Sequence, residues 1–185
     1  MKEISKKVRL SKFENYILYF FIYAFLGWFL ETLYAIYELG HFTKRGFLFG
    51  PICPIYGYGA LILLIFLRKY KKNSLKLFFI SMIVFSALEY FVSFALESAF
   101  MAHWWDYTNE FFNLNGRISI LFSFVWGIAA ILFINHIHPF IKKQLNKRVI
   151  RNIPIVIQST IIKVLCFIYI IDTVLSWIAH ARMVG

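Results

Sequence analysis

The sequence predicts an all-α fold, a polytopic transmembrane bundle of about five helices. Hydrophobic residues make up 61% of the 185 residues and charged residues only 16%, whereas a soluble domain is nearer half apolar and a quarter charged. Five apolar segments follow one another, and basic residues cluster between them. We therefore expect residues 1–185 to form one integral membrane domain that crosses the cell membrane several times.

The basic residues predict the orientation of this bundle. Fifteen Lys and Arg residues fall on one side, in the N-terminal tail and in the loops after the second and fourth segments: Lys2, Lys6, Lys7, Arg9, Lys12, Arg68, Lys69, Lys71, Lys72, Lys76, Lys142, Lys143, Lys147, Arg148 and Arg151. The other side carries only Lys44, Arg45, Arg117 and Arg182. By the positive-inside rule the N-terminus lies inside and the C-terminus outside. The net charge of +11 therefore indicates topology and contact with anionic lipid, not nucleic acid.

The helices are predicted in chain order after a basic cytoplasmic tail at residues 1–15. The first covers residues 16–39, since its apolar run is too long for a signal peptide and no small-residue cleavage site follows. The others cover residues 54–67, 75–101, 118–137 and 153–179. The paired Trp and Tyr of HWWDY (residues 103–107) predict an anchor at the outer surface, and Asn115-Gly116 predicts a turn before the fourth helix.

The stretch RGFLFGPICPIYGYG (residues 45–59) holds four of the nine glycines and two of the four prolines. Residues that break a helix are tolerated at membrane depth only where protein buries the non-helical backbone or where this backbone lines a water-filled cavity. We therefore predict a re-entrant loop over Gly46–Pro54 and a second helix that starts at Pro54. That helix is short, about 21 Å at 1.5 Å per residue, and its free amides suit an anion. The alternative is a plain surface loop.

Ionisable residues inside the predicted spans are candidates for a functional site, because they are costly in lipid. Glu31 shares a helix face with Gly27, Tyr34 and Glu38, and Glu89 shares one with Ser86, Ser93 and Glu97. We expect Arg45 or Arg117 to reach inward to one of these glutamates. The candidate substrate-binding residues are Glu31, Arg45, Gly50, Glu89, Glu97 and Arg117. Alternatively, the carboxyls are structural and hydrogen-bond neighbouring helices.

Motifs for catalysis and metal binding are missing from the sequence. The two cysteines, Cys53 and Cys166, form no CxxC pair, so neither a disulfide framework nor a zinc site is indicated. HExxH, nucleophile-elbow and Walker A patterns do not occur. The sequence therefore favours a protein without a metal or cofactor and disfavours an enzyme.

Several of these stretches together resemble one family, the CmpB-like putative ABC-transporter type IV membrane proteins. They are FLGWFLET (25–32), RGFLFGPICPIYGYGA (45–60), LEY (88–90), WWDY (104–107), NLNGRISI (113–120) and WG (126–127). The resemblance covers residue 16 to about residue 137. It implies a permease-like transport component, and any ATPase would be a separate polypeptide, since this chain has no nucleotide-binding motif.

We expect a transport component with a polar site in the outer half of the bundle. Arg45, Arg117 and the start of the second helix would hold an anionic group, while Glu31, Glu89 and Glu97 would hold a cation or protons. Five short-looped helices can hardly surround a wide path, so we expect a homo-oligomer in contact with membrane lipid. The alternatives are a non-catalytic scaffold or assembly partner and a small intramembrane enzyme acting on lipid.

Overall fold

The computed structural model describes residues 10–145 and 153–184 and is a helical bundle. The first helices are α1 (Lys12–Leu39), α2 (Pro54–Ile62) and α3 (Ser74–Phe100). Two two-residue strands follow, β1 (Asn113–Leu114) and β2 (Ile118–Ser119), and then α4 (Ile120–Leu132), α5 (His138–Gln144) and α6 (Ile155–Val184). A π-helical turn at Phe133–Ile137 joins α4 to α5, so these two helices form one continuous rod.

The predicted all-α bundle is confirmed. By length and composition, four helices could cross a membrane: Lys12–Leu39, Ser74–Phe100, Ile120–Gln144 and Ile155–Arg182. The short fifth, α2, continues as a π-turn at Leu63–Leu67 and a 3-10 turn at Arg68–Tyr70.

Three of the predicted helices have other boundaries in the structure. The fourth helix begins at Ile120, because Ile118 and Ser119 pair with β1, and it runs on to Gln144 instead of ending at residue 137. The first begins at Lys12, four residues earlier than predicted, where Ser11 and Glu14 form a capping box that satisfies free amides. The last runs from Ile155 to Val184 instead of residues 153–179. The basic residues Lys2, Lys6, Lys7, Arg9, Lys147, Arg148 and Arg151 lie outside the described residues.

The helices pack as two close pairs, α1 with α2 and α3 with α4. Glycine allows the first approach, since a Cβ at Gly57 would lie 2.9 Å from the Phe20 carbonyl oxygen. Small residues at such contacts are what lets membrane helices come together. The two pairs meet in an apolar core formed by Leu63, Leu67, Leu77, Phe85, Ala130 and Ile134.

The last helix, α6, contacts α1 and α3 but exposes most of its surface. Its C-terminal end is held by packed rings, with Trp177 against Phe100 at 4.7 Å and His180 stacked on Phe47 at 4.7 Å between centroids. Near its other end, Ser159 donates a hydrogen bond to Glu14 of α1 at 2.6 Å. Aromatic and polar contacts therefore position α6.

The predicted turn at Asn115-Gly116 is present between β1 and β2. Both residues have positive φ, 54° and 67°, a conformation that asparagine and glycine adopt more readily than other residues. The amide of Arg117 closes the turn onto the Leu114 carbonyl at 3.1 Å. The turn thereby carries the Arg117 side chain back over α3.

Candidate functional site

The loop between α1 and α2 folds back along α1. The amide of Cys53 donates to the Ala24 carbonyl at 2.9 Å, although Ala24 lies 15 residues before Leu39, about 22 Å down the helix. Leu48 within the loop is 1% exposed and Cys53 is 5% exposed. The glycine- and proline-rich segment therefore packs beside the middle of α1, and α2 starts at that level.

Asp172 of α6 binds two consecutive backbone amides of this loop. Phe49 N donates to Oδ1 and Gly50 N donates to Oδ2, each at 2.9 Å. Ser176, which is fully buried, accepts from Phe49 N at 3.1 Å and donates to Asp172 at 3.2 Å. A carboxylate on backbone amides forms charge-assisted hydrogen bonds. The chain's own Asp172 therefore occupies the amides of Phe49 and Gly50.

The first carboxyl of the site, the half-buried Glu31, accepts a hydrogen bond from the phenol of Tyr56. Tyr56 reaches it by lying across Gly27, where a Cβ would come 2.2 Å from the ring. Any larger residue at position 27 would displace that ring. Gly27 and Glu31, which are predicted to share a helix face, therefore have complementary roles. Gly27 leaves room for the Tyr56 ring, and Glu31 accepts the hydrogen bond from its phenol.

The second carboxyl, Glu89 of α3, is 6% exposed. One of its oxygens accepts from the Tyr107 phenol at 2.9 Å and the other from the Trp126 indole at 3.0 Å. Buried polar groups need partners of this kind, since an unpaired one costs about 1–3 kcal/mol. Glu89 thus ties α3 to α4 and to the loop between them.

The Glu31–Tyr56 pair lies next to Glu89 and its two donors. The Tyr56 and Trp126 rings lie 6.3 Å apart between centroids. Burial, followed by the nearby carboxylates of Glu89 and Glu31, raises the pKa of the Tyr107 phenol above its ordinary value, so the phenol remains a proton donor. We call Glu31, Tyr56, Glu89, Tyr107 and Trp126 the carboxylate–aromatic network.

The expected pairing of an arginine with one of these glutamates is present in Arg117 and the half-buried Glu97. Arg117 contacts one Glu97 oxygen through Nη2 at 2.5 Å and through Nε at 3.1 Å. The guanidinium also lies 5.3 Å from the Tyr90 ring centroid and 5.6 Å from that of Phe94, where cation–π attraction adds to the ion pair. The side chain of Arg117 is 15% exposed, so this contact is partly shielded from solvent.

Arg45, the other expected partner, contacts none of these glutamates. Its Nε is buried and has no hydrogen-bond partner within residues 10–145 and 153–184, and the same holds for the nearby Thr43 hydroxyl. Lys44, between them, lies over the Phe49 ring at 4.5 Å. Within the described residues, Arg45 is thus a cation of this loop with a buried donor that has no hydrogen-bond partner.

The six predicted site residues therefore occupy four places. Glu31 and Glu89 meet through the carboxylate–aromatic network, Glu97 and Arg117 pair with each other, Gly50 binds Asp172, and Arg45 stands apart in the loop. Sequence reasoning missed Tyr56, Tyr107, Trp126 and Asp172 as partners. A buried carboxyl requires nearby donors, which was the available signal, but the sequence does not tell which of its 38 aromatic residues supply them.

Tyr107 is directed into the bundle. Its stretch, HWWDY, is predicted to anchor α3 at the outer surface, and the Tyr107 phenol donates to Glu89, which is near the middle of α3. Trp104 of the same stretch packs on Phe100 and His180. The anchoring of this stretch at the outer surface stays a prediction.

The chemistry available here is the holding of protons or a cation. Glu31 and Glu89 are carboxyls with neutral donors, and neither has a basic partner within 4 Å in the part of the chain that the structure describes. In the same residues, no three His, Cys, Asp or Glu side chains gather in a way that could hold a metal ion.

Comparison with known protein families finds a match. The model of a family described as putative ABC-transporter type IV matches residues 18–177. No curated protein and no solved structure matches the chain.

Proposed function

Because the chain belongs to the putative ABC-transporter type IV family, we propose that it is a permease-like transport component with a polar site in the outer half of its bundle. The carboxylate–aromatic network carries this proposal. Buried carboxyls within membrane helices are expensive and mark ion or substrate pathways more often than other residues do. Glu31 and Glu89 would hold protons or a cation there.

The broken segment before α2 supports the same function. We propose that residues 46–54 form a re-entrant loop and that the N-terminus lies inside, which puts the start of α2 near the middle of the membrane. Transporter sites commonly lie at such interrupted helices near the midplane. The bond from Cys53 to Ala24 and the burial of Leu48 support this placement.

Two of the residues predicted to bind an anion already have partners within the protein. The proposal therefore assigns the anionic substrate group to fewer residues. Arg117 is neutralised by Glu97, and the Gly50 amide is taken by Asp172. Arg45 is the residue that we assign to an anionic substrate group, since its buried Nε has no partner in the described residues. A separate ATPase subunit and a homo-oligomer in the cell membrane complete the proposed assembly.

A scaffold function is the second candidate, and one observation favours it. Tyr107 and Trp126 satisfy both oxygens of Glu89, an arrangement that would also serve as a structural bond between α3 and α4. Under this alternative, the basic inner face would dock lipid or a cytosolic protein, and the network would have no mobile proton or cation.

Proteoliposomes containing the purified protein separate these functions. The internal pH and internal sodium are followed with fluorescent dyes after a potassium diffusion potential is applied. We expect Glu89→Gln to reduce proton or sodium flux at least tenfold while the protein still elutes as one folded peak in gel filtration. Glu110→Gln, a change in the α3–α4 loop outside the network, is the matched control and keeps its flux.

Equal flux in wild-type protein and Glu89→Gln would overturn the proposed site. A wild-type protein without flux, combined with lower cellular abundance of Glu89→Gln and normal abundance of Glu110→Gln, would instead favour the scaffold.

A further inference from the structure

An open groove runs between α1 and the α4–α5 rod, away from the carboxylate–aromatic network. Its volume is about 1100 Å³. Its walls are mainly apolar, formed by Ile22 and Leu26 on one side and by Ile137, Phe140 and Ile141 on the other. The groove therefore offers an elongated apolar surface that the described chain leaves uncovered.

The groove has the length of one membrane leaflet. On the α4–α5 rod it extends from Asn135 to Leu145, ten residues or about 15 Å of helix. The hydrocarbon core of a bilayer is about 30 Å thick, so one leaflet is about 15 Å. An acyl chain lying along the helices would match this length.

Charge and polarity concentrate at one end of the groove. Lys142 and Lys143 are exposed in the last turn of α5, next to the lining residues Ile141 and Gln144. This end of the groove therefore carries two cations.

The acidic residue of the first turn of α1 does not neutralise these cations. Glu14 accepts hydrogen bonds from Ser11 and from Ser159 of α6, so its carboxylate is engaged with another helix. At the same end, the uncharged side chain of Gln144 adds hydrogen-bonding capacity. This end of the groove is therefore positively charged, which would attract an anionic group.

We propose that this groove binds one anionic phospholipid, with its phosphate at Lys142 and Lys143 and one acyl chain along Ile22, Leu26 and Ile137. Basic pockets between membrane helices are known to take anionic headgroups. With the proposed orientation, the lipid belongs to the inner leaflet. This site is independent of the transport site, since it shares no residue with the carboxylate–aromatic network.

Native mass spectrometry of the full chain tests the proposal. The protein is taken from mixed micelles that contain phosphatidylglycerol and phosphatidylcholine in equal amounts. We expect wild-type protein to retain one phosphatidylglycerol in preference to phosphatidylcholine. Lys142→Gln/Lys143→Gln should weaken phosphatidylglycerol retention about fivefold for each lysine, the ratio that corresponds to the usual attraction of a basic residue to an anionic membrane.

Two further variants complete the test. Lys72→Gln/Lys76→Gln removes the same charge just before α3 and in its first turn, and this variant should retain the lipid as wild type does. Ile137→Trp, at a residue that is 45% exposed, fills the groove and should lower retention of both lipids. Circular dichroism establishes that each variant is folded.

Three results would overturn the proposal. They are equal retention of both lipids by wild-type protein, equal loss in the two lysine pairs, and a dimer that dissociates in Ile137→Trp. The last result would identify a second copy of the chain as the occupant of the groove.

Discussion

Gly50 and Asp172 lie 122 residues apart in the sequence, and the Gly50 amide donates to the Asp172 carboxylate at 2.9 Å. A Cβ at position 50 would lie 2.9 Å from the same oxygen, so the approach requires glycine. The second carboxylate oxygen takes the Phe49 amide. One side chain of α6 therefore holds the turn of backbone that leads into α2.

Asp172→Asn should destabilise the protein by about 1–3 kcal/mol, because one acceptor oxygen becomes an amide nitrogen that faces a backbone donor. The measurement is thermal unfolding in detergent, together with protease cleavage within residues 46–53. Glu38→Gln, which alters an exposed carboxyl of α1, should unfold at the wild-type temperature. Identical unfolding of wild type and Asp172→Asn would show that the two amides do not depend on this carboxylate.

Gly27→Ala should cost more stability than Gly59→Ala. The new Cβ would lie 2.2 Å from the Tyr56 ring at position 27 but 3.3 Å from Phe85 at position 59. Overpacking in a closely packed interior costs about 1–3 kcal/mol, and displacing Tyr56 also removes the donor to Glu31. Thermal unfolding of the two variants gives the comparison, and the reverse order would contradict the packing of Tyr56 on α1.

Arg117→Glu should destabilise the C-terminal end of α3 by about 1–3 kcal/mol, since it leaves Glu97 beside a like charge. The exchange Glu97→Arg/Arg117→Glu should recover part of this loss, because the ion pair returns with its ends reversed. The contacts of Arg117 with Tyr90 and Phe94 are not restored, so recovery stays incomplete. A double variant no more stable than Arg117→Glu would exclude a direct pair, as read from a double-mutant cycle.

The pKa of Asp106 should lie below the ordinary aspartate value of about 3.9. The Thr108 hydroxyl, followed by the Thr108 amide at 2.8 Å, donates to the carboxylate and lowers the pKa. The bond therefore stabilises the loop above about pH 4, and this contribution is lost as the pH falls through the lowered value. Thr108→Val should raise the pKa towards 3.9, as followed by the carboxyl carbon signal in NMR; an unchanged value would contradict the hydroxyl bond.

Cysteine labelling should reveal the proposed orientation. In a background where Cys53 and Cys166 are replaced by serine, Phe111→Cys in the α3–α4 loop should react with a membrane-impermeant maleimide in intact cells. Lys71→Cys, between α2 and α3, should react only after permeabilisation. Both positions are exposed, so accessibility within the fold does not limit labelling, and the opposite pattern would reverse the topology.

Features that depend on local composition could be predicted. The breakers of residues 45–59 indicated where helical structure would stop, and Pro54 does begin α2. The Asn115-Gly116 turn followed from its two residues. Boundaries were harder, because the start of α4 depends on the pairing of Ser119 with Asn113, which a helical pattern does not contain.

The candidate site could be predicted only in part. Glu31 and Glu89 were identifiable because a carboxyl in an apolar helix is unusual wherever it lies. Their partners Tyr56, Tyr107 and Trp126 were not, since aromatic residues are plentiful here and any of them could face lipid or another helix. Arg117 was one of two expected partners for a glutamate, and its turn onto α3 decided between them.

By itself, the sequence determined the helical class, the number of helices and the place where the second is interrupted, since these follow from hydropathy and backbone chemistry within short windows. Only the tertiary structure decided that Asp172 binds the loop amides, that Tyr107 points to Glu89 and that Arg45 stays apart. Those contacts depend on how far each helix slides and rotates against its neighbours, and that register arises from the packing of the whole bundle.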